Sequence, residues 1–304
     1  MNIVSLFSGA GGLDLGLKQA GHNIVWANDI DADAVATYKA NVCHNIICAD
    51  IAVIATNTIP DCDVVVGGFP CQGFSMANLK RNADDSRNTL YKYFLKIVSD
   101  KHPLYFIAEN VKGILSLDNG KTIQRIIADF KTAGYDVEIH KVNMADYGVP
   151  QHRERVIIIG QRNDLNPSKH LKFPQPTHSK DSWVSIKTAI GDLPPAGDTS
   201  TDPNNTGSNY KVTIRDFTAH RATDPDKPSP TILARGNGKG GVCAIPHYNG
   251  LRRLTIRESA VIQTFPRDFI FIGKMGSCYR QIGNAVPVLF GKMLGEKLAE
   301  IEKQ

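Results

Sequence analysis

Gly67-Gly68-Phe69-Pro70-Cys71-Gln72-Gly73-Phe74-Ser75 is the stretch around which this chain is organised. It follows the run Asp63-Val64-Val65-Val66, whose consecutive β-branched residues predict a strand that is buried on both faces. Two glycines end that strand, and the proline keeps the residue before it out of the helical region. Cys71 is therefore predicted at the carboxyl end of a strand, where open α/β sheets bind their ligands.

The segment after Cys71 helps to choose between two interpretations of its thiol. A cysteine in this position can simply be a small buried hydrophobic residue. The residues from Gln72 to Asn88, however, are polar and basic and show no apolar periodicity, which is typical of a functional lid loop. A thiol at the residue that immediately precedes such a basic loop predicts a nucleophile that acts on an anionic substrate.

The composition of the whole chain is that expected of a soluble intracellular protein. The chain has 304 residues, 42% of them hydrophobic, with a formal net charge of +5 and a pI near 8.8. This mild basicity is compatible with a polyanionic partner. The six cysteines form no CxxC pair and no zinc-ligand spacing, so we expect free thiols and no metal. No segment approaches the roughly 20 apolar residues of a membrane helix, so we expect a soluble protein.

The amino terminus carries a nucleotide-binding arrangement. Asn2 to Phe7 predicts a strand, Ser8 to Gly12 a glycine-rich turn, and Ile24 to Ala27 a second strand after an intervening helix. Asp29 follows 20 residues beyond Gly9, a spacing that suits hydrogen bonds to ribose hydroxyls.

The details of this arrangement favour a ribose-bearing ligand without a pyrophosphate, such as S-adenosylmethionine. Asp14 stands where the dinucleotide fingerprint requires a small residue, so close helix packing over a pyrophosphate is not encoded. Ile30 could lie against an adenine ring. Asp50 follows the strand-like stretch Ile46 to Ala49, and it either accepts from the adenine amine or caps a helix.

Charged residues accompany two further predicted strands. Glu109 ends the apolar strand Leu104 to Ala108, where a carboxylate is costly unless it is used or paired, so it is either functional or satisfied by nearby amides. Arg153 and Arg155 precede the strand Val156 to Gly160, and their alternation places both on one face. They are either functional or edge-protecting charges.

The second half of the chain changes in composition. From about Asn163 to Gly250 it is rich in turn-forming residues, which predicts a loop-rich second domain with short strands at Lys211 to Ile214 and Thr231 to Ala234. Its scattered basic residues either form a solvent-exposed face or bind phosphate groups. A helix is predicted at Thr255 to Thr264, and a closing amphipathic helix at Val288 to Ile301.

Six segments, in this order along the chain, resemble the DNA (cytosine-5)-methyltransferases of the compact bacterial restriction-modification type. The resemblance covers essentially the whole length. The segments are Phe7-Ser8-Gly9-Ala10-Gly11-Gly12, Gly68-Phe69-Pro70-Cys71-Gln72, Glu109-Asn110-Val111, Gln151-His152-Arg153-Glu154-Arg155, Arg253-Leu254-Thr255-Ile256-Arg257-Glu258 through Phe265-Pro266, and Gln281-Ile282-Gly283-Asn284-Ala285-Val286-Pro287.

The resemblance implies an α/β fold class. We expect a Rossmann-like S-adenosylmethionine-dependent methyltransferase domain with a smaller, loop-rich target-recognition domain, and DNA in the cleft between them. The catalytic and cofactor-binding domain is expected at residues 1–178, completed by residues 276–304. The recognition domain and its hinge are expected at residues 179–275.

The resemblance also implies roles for three residues, and the chemistry explains them. C5 of cytosine is a poor nucleophile, so the Cys71 thiolate first adds to C6. Glu109, kept protonated by burial, donates a hydrogen bond to N3, and Arg155 contacts O2. The target cytosine must be flipped out of the duplex because its C6 is otherwise stacked.

The remaining site residues follow from the same motifs. The cofactor, which leaves as S-adenosylhomocysteine, is expected to contact Phe7, Ser8, Gly9, Ala10, Gly11, Gly12, Leu13, Asp29, Ile30, Asp50, Ile51, Pro70, Leu90, Asn284 and Ala285. The DNA is expected to contact Ser75, Lys80, Arg81, Arg87, Arg153, Thr231 and Arg235.

Double-stranded DNA is therefore the expected partner of a monomeric, cytoplasmic and nucleoid-associated enzyme, with a paired restriction endonuclease as a further candidate. Three alternatives stay open. A tRNA cytosine-5 methyltransferase would use the same chemistry with a reduced recognition region. A catalytically inactive homologue would bind DNA as a regulator, which Cys71, Glu109 and Arg155 together disfavour. An NAD-dependent dehydrogenase is disfavoured by Asp14 and by the loop that follows Cys71.

Overall fold

The computed structural model describes residues 1–70, 90–207, 212, 222–234, 245–250 and 252–303. Within these residues seven strands form one sheet. The strands are β1 (Asn2–Leu6), β2 (Asn23–Asp29), β3 (Ile46–Cys48), β4 (Val64–Gly67), β5 (Tyr105–Val111), β6 (Tyr135–Asn143) and β7 (Glu154–Arg162).

The sheet has the strand order β3-β2-β1-β4-β5-β7-β6. The pairings from β3 through β5 are parallel, whereas β7 runs antiparallel to both β5 and β6. The order reverses between β1 and β4, and such a switch point is where open α/β sheets form their binding crevice. The predicted α/β class is confirmed.

The central strands are apolar throughout because both faces of the sheet are covered. Val64 and Val66 of β4 belong to the hydrophobic cluster on one face, and Val65 belongs to the cluster on the other. All three side chains are fully buried. Successive strand residues point to opposite faces, so a strand covered on both sides carries no polar alternation. This is the pattern from which the strand was predicted.

Eight α-helices lie in the described residues, and the last packs against the first. They are α1 (Gly12–Gln19), α2 (Ala32–Asn41), α3 (Leu90–Lys101), α4 (Lys121–Thr132), α5 (Ile186–Ile190), α6 (Ile256–Ile262), α7 (Met275–Asn284) and α8 (Val288–Glu302). A Cβ atom on Gly16 of α1 would lie 2.4 Å from the backbone nitrogen of Lys292 in α8. The carboxyl-terminal segment therefore joins the layer that covers β1.

Two elements extend beyond their predicted bounds, and this changes the setting of the charged residues. Strand β5 continues to Val111, so Glu109 lies within the strand and not after it. Strand β7 begins at Glu154, so Arg155 is also a strand residue. The antiparallel pairing of these two strands extends both of them, and their polar ends could not be recognised from apolar runs alone.

The segment 179–275 does not form a separate core within the described residues. Ile186, Ile190, Ile232 and Ile256 belong to the same hydrophobic cluster as one face of the sheet. The strand predicted at Thr231 to Ala234 is wrong: Ser229 instead forms an isolated parallel bridge with Gln151. The strand predicted at residues 211–214 lies outside the described residues except for position 212.

Candidate active site

The ends of three neighbouring strands bring the candidate catalytic groups to one edge of the sheet. Gly67, the last residue of β4, pairs with Ala108 of β5, and Val111 of β5 pairs with Arg155 of β7. The chain therefore leaves β4 beside Glu109 on its way to Cys71. The predicted residues that lie outside the described part of the chain are Cys71, Ser75, Lys80, Arg81, Arg87 and Arg235.

The residues that lead to Cys71 are fixed from two sides. A Cβ atom on Gly67 would lie 2.3 Å from the carbonyl oxygen of Leu6, so only glycine fits this approach of β4 to β1. The side chain of Phe69 is buried in the cluster that contains α3. Asn110 Nδ2 donates to the carbonyl oxygen of Phe69 at 3.1 Å. Strand β5 thus holds the backbone two residues before Cys71.

Glu109 and Arg155 form an ion pair across β5 and β7. The distance between Arg155 Nε and Glu109 Oε1 is 2.7 Å, and the two side chains are 11% and 13% exposed. The Nε–H bond is not directed at the carboxylate, so this is a charge contact without an aligned hydrogen bond. The pair therefore places two of the predicted catalytic side chains in contact with each other.

Arg153 does not lie on a DNA-accessible surface, and the expected DNA contact is wrong for this residue. Its side chain is 1% exposed and donates to the carbonyl oxygens of Ile232, Gly283 and Ala285 at 3.2, 3.0 and 2.9 Å. Alternation placed it correctly beside Arg155, but the segments around positions 232 and 284 cover it. Burial lowers the pKa of Arg153 well below its ordinary value.

Thr231 uses its hydroxyl hydrogen inside the protein. Its Oγ1 donates to the carbonyl oxygen of His152 at 2.5 Å, and the side chain is only half-buried. A threonine hydroxyl has one hydrogen to donate, so it cannot also donate to a phosphate while this bond is present. The expected phosphate contact is therefore not supported by this arrangement.

The glycine turn and the end of β2 form an open polar recess. Asp29 Oδ2 accepts from the backbone N–H of Gly9 at 2.7 Å, and its Oδ1 accepts from that of Asp31 at 2.8 Å. Burial raises the pKa of Asp29. Nothing lies within 4 Å of a Cβ built on Gly9, and the Ile30 side chain is 68% exposed. An exposed isoleucine beside a buried carboxylate is an apolar platform next to a hydrogen-bond acceptor.

Asp50 takes the helix-cap role that was one of its two predicted interpretations. Its carboxylate accepts from the backbone N–H of Ala52 at 3.0 Å and so caps the short 3₁₀ turn Ile51–Val53. The Ile51 side chain is buried among apolar residues of the core. Capping uses one carboxylate oxygen and leaves the other able to accept.

The segment that follows α7 begins with Ala285 and packs against the glycine turn. A Cβ on Gly12 would lie 3.2 Å from the Cβ of Ala285 and 2.3 Å from the carbonyl oxygen of Val286. The glycine turn is therefore backed by the segment after α7. Asn284 is exposed at the last position of that helix. The structure brings together residues that lie more than 250 positions apart in the sequence.

The other expected cofactor residues support the turn in different ways. Phe7 has a φ of 54° and Gly11 a φ of 86°, which bends the backbone sharply after β1. The Ser8 hydroxyl donates to the carbonyl oxygen of Ser5 at 3.1 Å. Ala10, Gly11 and Leu13 are buried, whereas Phe7, Ser8, Pro70 and Leu90 are half-buried.

Comparison with known proteins agrees with this geometry. The family model for the C-5 cytosine-specific DNA methylase matches residues 1–300. The chain belongs to this family. It is 40% identical to the Type II methyltransferase M.NgoFVII of Neisseria gonorrhoeae over 94% of this chain and 83% of that protein. The predicted family and enzyme class, an S-adenosylmethionine-dependent DNA (cytosine-5)-methyltransferase, are therefore confirmed.

Two crystal structures share the fold of this methylase. One is of an E. coli prophage protein assigned as a DNA modification methyltransferase, with a TM-score of 0.79, 27% identity and full coverage of both chains. The other is of the Dnmt2 methyltransferase of S. pombe, with a TM-score of 0.73 and 19% identity over 99% of this chain and 98% of that chain. The latter similarity concerns the fold alone.

Sequence reasoning assigned no role to three buried amides of the methylase. Asn110 holds the backbone before Cys71, and Gln151 and Gln263 bond to each other with neither side chain exposed. Gln151 lies two residues before Arg153 in extended chain, so the two side chains are expected on the same face. Had Arg153 been recognised as buried, Gln151 would have been predicted to be buried as well. No sequence pattern predicted the burial of Gln263, which follows a helix.

In the described ranges, no group of three or more His, Cys, Asp or Glu side chains could hold a metal ion. None of the helices described there is both long enough and apolar enough to cross a membrane. Four cysteines are free thiols in this part of the chain: Cys43, Cys48, Cys62 and Cys278.

Proposed function

We propose that this methylase transfers a methyl group from S-adenosylmethionine to C5 of one cytosine in a specific short sequence of duplex DNA. Its relatives are Type II methyltransferases, so we place it in a restriction-modification system. The observation that supports the reaction best is the Glu109–Arg155 pair, which lies beside the segment that leads to Cys71. Residues 179–275 would read the DNA sequence.

The residues present fit S-adenosylmethionine. The exposed Ile30 side chain would lie against the adenine, and Asp29 retains carboxylate lone pairs for the ribose hydroxyls because each oxygen accepts only one backbone bond. Asn284 would bind the methionine end above the open turn at Gly9. The bound cofactor supplies the electrophilic methyl group that C5 accepts.

Three side chains would carry the reaction. The Cys71 thiolate forms a bond to C6, and the displaced electron density makes C5 nucleophilic. Glu109 in its protonated form donates a hydrogen bond to N3, while Arg155 turns from Glu109 toward O2. After methylation a water molecule takes the C5 proton, and the electron pair of the broken C5–H bond expels the Cys71 thiolate from C6 and restores the aromatic ring. Before the base binds, the ion pair thus holds the side chains of Glu109 and Arg155 together, and the incoming cytosine separates them.

The DNA would supply its cytosine in a flipped-out form. C6 is shielded by stacking in a duplex, so attack by a thiolate requires extrusion of the base. The basic residues Lys80, Arg81 and Arg87 after Cys71 would contact phosphates and hold the loop over the base. A monomer suffices for this geometry, because all the proposed groups come from one chain.

The test compares Cys71→Ser with Cys62→Ser in an assay with methyl-labelled S-adenosylmethionine and unmethylated duplex DNA. We expect labelled 5-methylcytosine from the native protein and from Cys62→Ser, and none from Cys71→Ser. Cys62 is a matched control because burial raises the pKa of its thiol to about 12, which keeps it unreactive at neutral pH.

Three other outcomes would each contradict part of the proposal. If tRNA is labelled and DNA is not, the substrate is RNA and not DNA. If the protein binds DNA but labels neither nucleic acid, it is a DNA-binding regulator and not an active methyltransferase. Equal activity of Cys71→Ser and native protein would exclude the thiol as the nucleophile. Positions of the label in a set of duplexes would give the recognised sequence.

A further inference from the structure

Three buried polar side chains, Gln151, Arg153 and Gln263, join separate segments of the methylase. We call them the polar clamp. Their side chains are 0%, 1% and 0% exposed. They lie on the lead-in to β7 and at the end of α6, and both places are adjacent to the segment that contains Ile232 and to the end of α7.

The polar clamp holds the carboxyl end of α7. Arg153 Nη2 donates to the carbonyl oxygens of Gly283 at 3.0 Å and Ala285 at 2.9 Å. Gln263 Nε2 donates to the carbonyl oxygen of Ile282 at 2.8 Å. The last carbonyls of a helix have no partner within the helix and carry the negative end of its dipole, so a cation is favourable there. Arg153 therefore acts as a buried cap for this helix.

The same side chains hold a second segment. Arg153 Nη1 donates to the carbonyl oxygen of Ile232 at 3.2 Å, and Gln151 Oε1 accepts from the N–H of Ile232 at 2.9 Å. Gln151 Nε2 completes the network by donating to Gln263 Oε1 at 2.9 Å. Both backbone groups of Ile232 are thus fixed to the lead-in of β7, two to four residues before Arg155.

This arrangement has a consequence for Asn284. Arg153 binds the carbonyl oxygens on either side of it, and the Asn284 side chain is exposed. Arg153 makes no hydrogen bond to a carboxylate in the described residues, and burying a guanidinium on carbonyls alone is costly. Its position two residues before Arg155 links the backbone of Asn284 to the Glu109–Arg155 pair.

We propose that Arg153 is a positioning residue. It holds the backbone of Asn284 so that the Asn284 side chain contacts the cofactor at a fixed position relative to the Glu109–Arg155 pair. This rests on the proposed function, in which Asn284 binds the methionine end of S-adenosylmethionine. A lysine at position 153 keeps the charge but cannot span the carbonyl groups of two segments, because the forked geometry is lost. The arginine fork, and not merely a positive charge, is what the position requires.

The first measurement is hydrogen exchange of the unliganded protein, which does not depend on the cofactor. We expect Arg153→Lys to increase exchange in the peptide that contains residues 279–290 at least about tenfold, because the end of α7 loses its cap. Arg257→Lys is the matched control: Arg257 is also buried, but it binds Asp202 and the Pro266 carbonyl away from this segment. Unchanged exchange in Arg153→Lys, or equal exchange in both variants, would overturn the proposal.

The second measurement is a double-mutant cycle on the dissociation constant for S-adenosylmethionine. If Arg153 acts through Asn284, then Arg153→Lys and Asn284→Ala each weaken binding about tenfold, and the double variant is no weaker than either. Arg257→Lys should combine additively with Asn284→Ala. Additive effects of Arg153→Lys would refute the coupling. Failure of the native protein to bind S-adenosylmethionine would instead refute the proposed cofactor, and hydrogen exchange would still decide the role of Arg153.

Discussion

Asp14 is a carboxyl group buried beneath the glycine turn, where it accepts hydrogen bonds from the hydroxyls of Ser5 at 2.8 Å and Tyr38 at 2.7 Å. Burial raises its pKa to about 6, although both hydrogen bonds oppose the shift. In an unfolded chain the same group has an ordinary pKa, so the native state binds the proton more tightly. The native protein is therefore stabilised at low pH relative to neutral pH by this group.

The expected pH dependence follows from that sign. Between about pH 4 and pH 6 the contribution of Asp14 to the free energy of unfolding falls by about 2 kcal/mol. Asp14→Asn does not titrate, so its stability relative to the native protein should improve as the pH rises through this range. Urea unfolding at pH 4.5 and 7 measures the difference. Asp61→Asn, at a side chain that is 94% exposed, is the control and should show no comparable change.

At the residue scale, the sequence identifies chemical types better than it identifies exposure. Alternation predicted that Arg153 and Arg155 lie on one face, and the resemblance predicted that Glu109 and Arg155 act on the same base. It could not show that Arg153 is covered, because the covering segments lie about 80 and 130 positions further along the chain. Asp50 was open between two roles because a cap and a ligand contact require the same residue type.

At the element scale, the packing of α1 against α8 gives a test of the carboxyl-terminal layer. Gly16→Ala would place a Cβ 2.4 Å from the backbone of α8, so the helices must separate, at a cost of about 1–3 kcal/mol. Gly276→Ala in α7 is the matched control, since no atom lies within 4 Å of its Cβ. We expect that variant to be more stable by about 0.5–1 kcal/mol. Thermal unfolding should therefore shift in opposite directions.

Element positions were predictable wherever a strand is apolar on both faces or a helix is amphipathic. Strand β4 and helix α4 follow their patterns closely. The polar ends of β5 and β7 were not predicted as strand, because they are extended by pairing with each other, which the sequence of one segment alone does not indicate. Helix α7 was missed as well: its sequence, Met-Gly-Ser-Cys-Tyr-Arg-Gln-Ile-Gly-Asn, includes two glycines, which are poor helix formers.

At the scale of the whole molecule, charge is distributed so that two lysines lie beside the proposed catalytic edge of the sheet. Lys112 follows β5 directly, and Lys141 lies near the end of β6. Their ammonium groups lie 2.8 and 3.4 Å from the carboxylate of Glu154. All three side chains are about half exposed, so the pairs are accessible to an approaching phosphate. One carboxylate thus partly neutralises two cations beside the Glu109–Arg155 pair.

Removing that carboxylate should strengthen DNA binding. Glu154→Gln frees both lysines, and we expect about a threefold lower dissociation constant for a non-cognate duplex at low salt, with the gain lost at high salt. Glu296→Gln is the control: Glu296 pairs with Lys292 on α8, away from this edge. Fluorescence anisotropy with a labelled duplex measures both. A gain that persists at high salt, or that is equal in the control, would contradict the electrostatic explanation.

The contact between Gly12 and the segment after α7 also determines when the cofactor recess can form during protein synthesis. Gly12 leaves the ribosome long before Ala285 and Val286, which support it and which are made after the whole sheet. Folding of a nascent chain starts from its amino-terminal part. The sheet can therefore assemble while translation continues, but the recess beside it stays unsupported until residues 285–286 emerge. A newly made chain should consequently acquire its affinity for S-adenosylmethionine only after residues 285–286 have left the ribosome.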